Sequence, residues 1–304
     1  MTNESKFLYS VGQQSHQGGR DYNEDRVAIF ERENSLLLVL ADGLGGHAGG
    51  EIASQALVDA MGDSFNKATD KQLEKADSFL ALSINYAHHS VHRQAVNHGF
   101  SVDSPKTTCV VCLIYEGIAT WAHVGDSRLY VIRNNKFEFI TNDHVSKKAS
   151  KGGNAPISRC VGGLESPKPE LSKPHEMKDG EILFLATDGA WDSFRPDDLF
   201  EYVDSEHPTL GLDNLLQELE RRNKVPSDNL SVVVCFWGVR QLDIPSFTEY
   251  ETPNTIQLLS ESIQRSDEEG RATSTVPDKR FDMNEIDTTI NEIEDFISDI
   301  DEKF

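Results

Sequence analysis

Nine short stretches of β-like sequence constrain this chain more than anything else in it. They are FLYSVGQQS, RVAIFER, LLLVLAD, TTCVVCLIYE, IATWAHV, SRLYVIRN, KFEFITN, EILFLATD and NLSVVVCFWGV. Most alternate or run apolar over about five to eight residues, the pattern of half-buried or fully buried strands. Turn signals such as Glu116-Gly117, Asn134-Asn135 and Asp179-Gly180 separate them. Turns this tight can only join antiparallel neighbours. Two long helical patterns, about residues 49–65 and 72–97, fall together between strands, and a third, about 209–223, precedes the last strand. Grouped strands with grouped helices predict an α+β fold: an antiparallel β-sandwich of two facing sheets flanked by helices, an α-β-β-α arrangement.

The pattern lapses near Gln241, so the expected boundaries are a domain over 1–240, an acidic flexible linker over 241–281 and an amphipathic C-terminal helix over 282–304. In the last segment Ile286, Ile290, Ile293, Ile297 and Ile300 share one helical face, which suits docking onto a partner or onto the chain's own domain. Residues 241–304 hold 17 acidic and 5 basic side chains, over half of the net charge of −22. That charge argues against nucleic acid, which needs a basic footprint. No apolar run approaches the ~20 residues that span a membrane, and MTNESKFLYS does not read as a signal peptide, so the expected compartment is the cytoplasm. Cys109 and Cys112 form a C-x-x-C inside a strand, where their side chains point to opposite faces; core thiols suit them better than zinc or redox chemistry.

Acidic residues recur at comparable structural places. Glu24-Asp25 precedes RVAIFER, Asp42-Gly43 follows LLLVLA, Asp188-Gly189 follows EILFLAT, and Asp228-Asn229 precedes LSVVVCFW. Gly125-Asp126-Ser127 lies in the turn between WAHV and RLYVI. Each alone could be an ordinary turn residue. Collected at one end of a sandwich, they would repel strongly unless cations neutralised them. Gly43-Leu-Gly-Gly-His-Ala48 is nominally a dinucleotide-binding G-x-G-x-x-A, but Asp42 before it would repel a pyrophosphate, and no strand ends in an acidic residue about 20 positions on.

The ordered runs GGRDYNEDR, ADGLGGHAGGEIAS, HVGDSRLY, LATDGAWD and PSDNLSVVV resemble the metal-dependent PPM family, the type 2C Ser/Thr protein phosphatases, in their bacterial single-domain form, over about residues 5–238. The resemblance implies two Mn²⁺ or Mg²⁺ ions bridged by Asp42, with the Gly43 carbonyl on one of them. By the same resemblance Asp188 and Asp228 would complete the first metal's shell, Glu24 would hold the second through water, and Asp25 would orient the bound waters. Asp126, with Asp188, would by that resemblance hold a third, weaker metal. Arg20 matches the arginine that grips the substrate phosphate, and His47 corresponds to a histidine proposed to protonate the leaving alcohol. The implied reaction is hydrolysis of phosphoserine and phosphothreonine in proteins by a metal-activated water. Implied partners are phosphorylated protein substrates and a cognate bacterial Ser/Thr kinase, with type VI secretion control as one setting.

The sequence departs from the family in the flap. From Asn142-Asp143-His144 to Gly162-Gly163 only about 20 residues remain, so a lysine-rich loop carrying Lys147, Lys148 and Lys151 is expected where the family has helices. Arg128 and Arg159 are further candidates to reach substrate. In the tail, Thr275-Val-Pro-Asp278 has the T-x-x-D form that forkhead-associated domains bind when phosphorylated. The competing reading is a non-catalytic phosphoprotein-binding scaffold acting through its C-terminal helix. Against it, a pseudoenzyme should have lost carboxylates such as Asp42, Asp188 and Asp228.

Overall fold

The computed structural model describes residues 7–44, 49–146, 156–222 and 228–238. The expectations for His47, for Lys147, Lys148 and Lys151, for the 241–281 linker and Thr275, and for the 282–304 helix lie outside these residues.

Strands and helices follow the sequence pattern closely. The chain runs β1 (Tyr9–His16), β2 (Arg26–Arg32), β3 (Ser35–Ala41), α1 (Gly50–Lys67), α2 (Asp70–Glu74), α3 (Ala76–Asn97), β4 (Cys109–Tyr115), β5 (Ile118–Val124), β6 (Arg128–Arg133) and β7 (Lys136–Ile140). It continues with β8 (Glu170–Leu171), β9 (His175–Glu176), β10 (Ile182–Ala186), α4 (Asp188–Trp191), α5 (Pro196–Tyr202), α6 (Pro208–Arg222) and β11 (Leu230–Trp237). Periodicity does not reveal α2, α4, α5, β8 or β9, because elements of two to seven residues are too short to show a period.

One sheet is ordered β1-β11-β10-β6-β7 and the other β2-β3-β4-β5-β8, with β9 also pairing β5; every pairing is antiparallel. Three apolar layers hold the stack together. Leu38, Leu40, Val131, Leu185, Val233 and their neighbours fill the space between the sheets. Leu37, Val39, Leu57, Met61, Phe65 and Leu80 seal α1 and α3 onto the second sheet. Phe184, Val232, Leu212, Leu215 and Leu219 seal α6 onto the first. Strands β3, β10 and β11 are buried throughout because each has an apolar layer on both faces, which explains their unbroken runs of apolar residues. Cys109 sits in the layer under the helices and Cys112 in the layer between the sheets, as the two-residue strand period requires.

The flap begins as a narrow hairpin. Val145 bridges Ile157, the Ser146 N–H donates to the Pro156 carbonyl at 2.8 Å, and the Ser158 N–H donates to the His144 carbonyl at 2.8 Å.

Candidate active site

Antiparallel register brings the acidic residues to one end of the sandwich. Arg26 pairs with Ala41, so Asp25 and Asp42 are the next residues beyond that pair. In the other sheet Ala186 pairs with Arg128 and with Val232, which carries Asp188 toward both Asp126 and the start of β11, where Asp228 lies. No two of these carboxylates need be close in sequence for this to happen.

A net of hydrogen bonds holds the backbone around them. The Gly43 N–H donates to the Glu24 carbonyl at 3.2 Å, and the Thr108 N–H and Thr107 hydroxyl donate to the Asp42 carbonyl at 2.8 and 2.9 Å. The Asp42 N–H donates to Thr108 Oγ1 at 3.0 Å. A Cβ at Gly43 would lie 2.6 Å from the Gly50 carbonyl oxygen and 2.7 Å from that of Glu24, so only glycine lets these three chains meet. At Gly189 a Cβ would strike the Asn229 carbonyl oxygen, which fixes the approach of Asp188 to Asp228.

Electrostatics show how closely the carboxylates face one another. Burial pushes the Asp25 carboxyl up to about 7, against hydrogen bonds from Ser231 and Thr187, with the charges of Asp188 and Asp228 adding to the rise. Thr187 Oγ1 donates to Asp25 Oδ2 at 3.1 Å. Asp42 is pushed well above the usual carboxylate range, first by burial and then by Asp25, Asp188, Asp126 and Asp228. Burial, with Asp188 next, raises Asp126 to about 6, and burial with Asp228 raises Asp188. Burial and Glu51 raise Glu24. Asp126 Oδ1 is buried with no hydrogen-bond partner. Arg20 brings a cation to the rim of this end: it reaches Asp228 Oδ2 at 2.5 Å, with both side chains substantially exposed. An oxygen-rich, mutually repelling cluster with an orphaned buried oxygen is a donor set suited to hard divalent cations.

Each residue singled out in the sequence and lying within the described residues thus has a place. Glu24, Asp25, Asp42, Gly43, Asp126, Asp188 and Asp228 gather at one end, with Arg20 at the rim. Arg128 and Arg159 have partners of their own: Arg128, close to Asp126, donates to both Asp143 oxygens at 2.8 Å, and Arg159 donates to the Lys168 carbonyl at 3.1 Å.

Sequence reasoning missed Asn229. Its amide donates to the Gln17 and Tyr22 carbonyls at 2.7 and 2.9 Å and accepts the Glu24 N–H at 2.9 Å, so one side chain shapes the loop bearing both Arg20 and Glu24. The dipeptide Asp228-Asn229 was visible as a turn signal; that its amide serves a loop some 205 residues earlier was not.

A separate group, His123, His144 and Glu170, has nitrogen and oxygen atoms within 4.8 Å of one another. It lies beside the Gly125–Asp126 turn, on an open cleft of about 360 Å³ lined by Trp121, Phe139 and Leu171 among others.

Comparison with known proteins agrees with the geometry. Residues 12–222 match the family described as Protein phosphatase 2C. Protein phosphatase PhpP of Streptococcus pneumoniae is 25% identical over 219 residues, covering 67% of this chain and 86% of that protein. The structure of Ser/Thr phosphatase Stp1 from Staphylococcus aureus superposes with a TM-score of 0.65 at 26% identity, over 77% of this chain and 96% of that one. PppA of Pseudomonas aeruginosa, described as a key regulatory component of its type VI secretion system, superposes with a TM-score of 0.62 at 25% identity, over 76% and 98%. A family match over more than two thirds of the chain, on an antiparallel α-β-β-α sandwich with carboxylates gathered at one end, places this chain in the metal-dependent protein phosphatase 2C family.

Proposed function

We propose that this protein is a Ser/Thr protein phosphatase that holds two divalent cations, Mn²⁺ or Mg²⁺, with a third at Asp126. The observation that carries the reading is the convergence of Asp25, Asp42, Asp126, Asp188 and Asp228, each of which, Asp228 apart, is kept above its ordinary pKa by burial and by the others. A cluster so costly without cations is reasonable only if cations bind it. Asp42, the Gly43 carbonyl, Asp188, Asp228 and Glu24 are the candidate ligands of the first two ions, and Asp126 with Asp188 those of the third. Bound there, such ions supply an acidified water and offset negative charge on the phosphoryl oxygens.

The chain's own groups do the rest. Asp25 is 2% exposed and oriented by Thr187, so it can hold a water or a proton in a fixed direction. Arg20, at the exposed rim, offers a planar fork for two phosphate oxygens. His47 is the candidate acid for the leaving alcohol. A phosphomonoester of serine or threonine in another protein is the substrate class, and a bacterial Ser/Thr kinase the opposing activity. The likeness to PppA supports a role in type VI secretion control. A cytoplasmic site of action follows from the expected substrates; among the described residues no helix is long and apolar enough to cross a membrane. The domain over 1–240 carries the chemistry, and the tail over 241–304 is offered to partners, forkhead-associated domains included.

The test is turnover of p-nitrophenyl phosphate and of phosphothreonine and phosphotyrosine peptides, with Mn²⁺ and with EDTA. Metal-dependent turnover with preference for phosphothreonine is expected. Turnover that survives EDTA, or a folded protein with no turnover, would overturn the reading.

A further inference from the structure

Asp126 stands on a seat built from one dipeptide elsewhere in the chain. Its turn requires glycine, because Gly125 has φ of 111° and a Cβ there would lie 2.7 Å from the Thr108 side chain. On the N-terminal side, the His144 N–H donates to the Gly125 carbonyl at 2.9 Å, and the Gly125 N–H donates back to His144 Nδ1 at 3.2 Å. On the C-terminal side, Trp191 Nε1 donates to the Asp126 carbonyl at 3.0 Å. The Arg128 guanidinium lies 3.3 Å from the centroid of that Trp191 ring, and Asp143 grips Arg128 through both oxygens. Both supports therefore end in consecutive residues, Asp143 and His144, at the base of the flap hairpin.

The His123–His144–Glu170 group fits this support better than it fits an ion of its own. The two imidazoles stack nearly parallel, 4.4 Å apart at 11°, so their in-plane lone pairs do not converge on one point. His144 Nδ1 accepts the Gly125 N–H, and Nε2 lies 3.4 Å from Glu170 Oε2. Arg159 Nη1 lies 3.2 Å from the same Nε2, a cation where a metal would have to sit. Burial, with His123 and Arg159 adding, lowers the His144 pKa, consistent with a neutral ring whose Nδ1 accepts.

We propose that Asp143 and His144 are positioning residues that set the Gly125–Asp126 turn for a divalent cation, coupling the flap base to that ion. The inference rests on the reading of Asp126 above. His144 reaches the turn through the Gly125 backbone, and Asp143 through Arg128 and Trp191. Partners of this kind commonly change metal affinity by about 10- to 100-fold when removed.

The test uses the full chain and a calorimetric or paramagnetic titration with Mn²⁺ alone, so that no turnover is needed. Asp126→Ala identifies the ion class that depends on Asp126. His144→Leu, which keeps bulk but removes the acceptor, and Asp143→Asn should each weaken that class about tenfold. The remaining classes and the melting temperature in EDTA should stay as in the wild type. His144→Asn, which returns an acceptor oxygen near the Nδ1 position, should restore binding. If Asp126→Ala removes no ion class, the reading of Asp126 itself fails and the inference with it. If that class exists but His144→Leu and Asp143→Asn leave it intact, the inference alone is overturned. Equal weakening of all classes with a lower melting temperature, or no rescue by His144→Asn, would show a merely structural role and overturn it as well.

Discussion

Asp25 and Asp42 are neighbouring carboxyls at the ends of paired strands, both raised above their ordinary range because water is excluded and like charges face them. A carboxyl whose folded pKa is raised binds more protons folded than unfolded, so its contribution to stability is present below the unfolded pKa and lost as pH rises through the folded one. With Asp126 at about 6 and Asp25 at about 7, the metal-free protein should lose stability between about pH 4 and pH 7. Thermal unfolding in EDTA at pH 5 and pH 7.5 should show the lower melting temperature at the higher pH; saturating Mn²⁺ should remove the difference. By the same logic Asp42→Asn should raise the melting temperature in EDTA while lowering turnover by at least about 100-fold. Both are read on one preparation, and a parallel fall would mean Asp42 is structural. The identities of these acids were legible because each abuts a strand with a clear pattern. Asn229 and Thr187 were not, because their hydrogen-bond partners lie 205 and 162 residues away and no local pattern encodes such a pairing.

Elements set the precision of that gathering. The first sheet packs against α6 so closely at β1 that a Cβ on Gly12 would lie 2.8 Å from the Thr209 nitrogen and 2.9 Å from Pro208. Gly12→Ala should cost about 1–3 kcal/mol in urea unfolding, with the metal requirement of turnover unchanged. A change in metal requirement instead would mean that α6 controls the cluster. Nine strands and three long helices could be read from periodicity because each buries a continuous face. The flap base could not. Its hairpin turns on a single bridge between Val145 and Ile157, and its importance comes from Asp143 and His144 reaching Arg128 and Gly125, contacts that leave no mark on hydrophobic spacing.

As a molecule, the described part of the protein is two sheets and two helical layers with an apolar filling in each of the three gaps. Gly238 is the last described residue, and its N–H donates to the Leu8 carbonyl at 2.8 Å, which ties the end of β11 to the start of β1. Deleting 241–304 should therefore leave p-nitrophenyl phosphate turnover largely unchanged; an inactive but folded product would place part of the tail in the catalytic unit. By itself the sequence determined nine of the strands, the three long helices, the sandwich class and the acidic residue types. These depend on spacing and composition within short windows. Only the tertiary structure decided that the acids share one sheet end, that Arg128 and Arg159 have partners of their own, and that Asp143 and His144 reach Arg128 and Gly125 on either side of Asp126. Those facts depend on strand order and register, which arise when distant segments bury apolar faces together, and a linear pattern does not contain the distances that result.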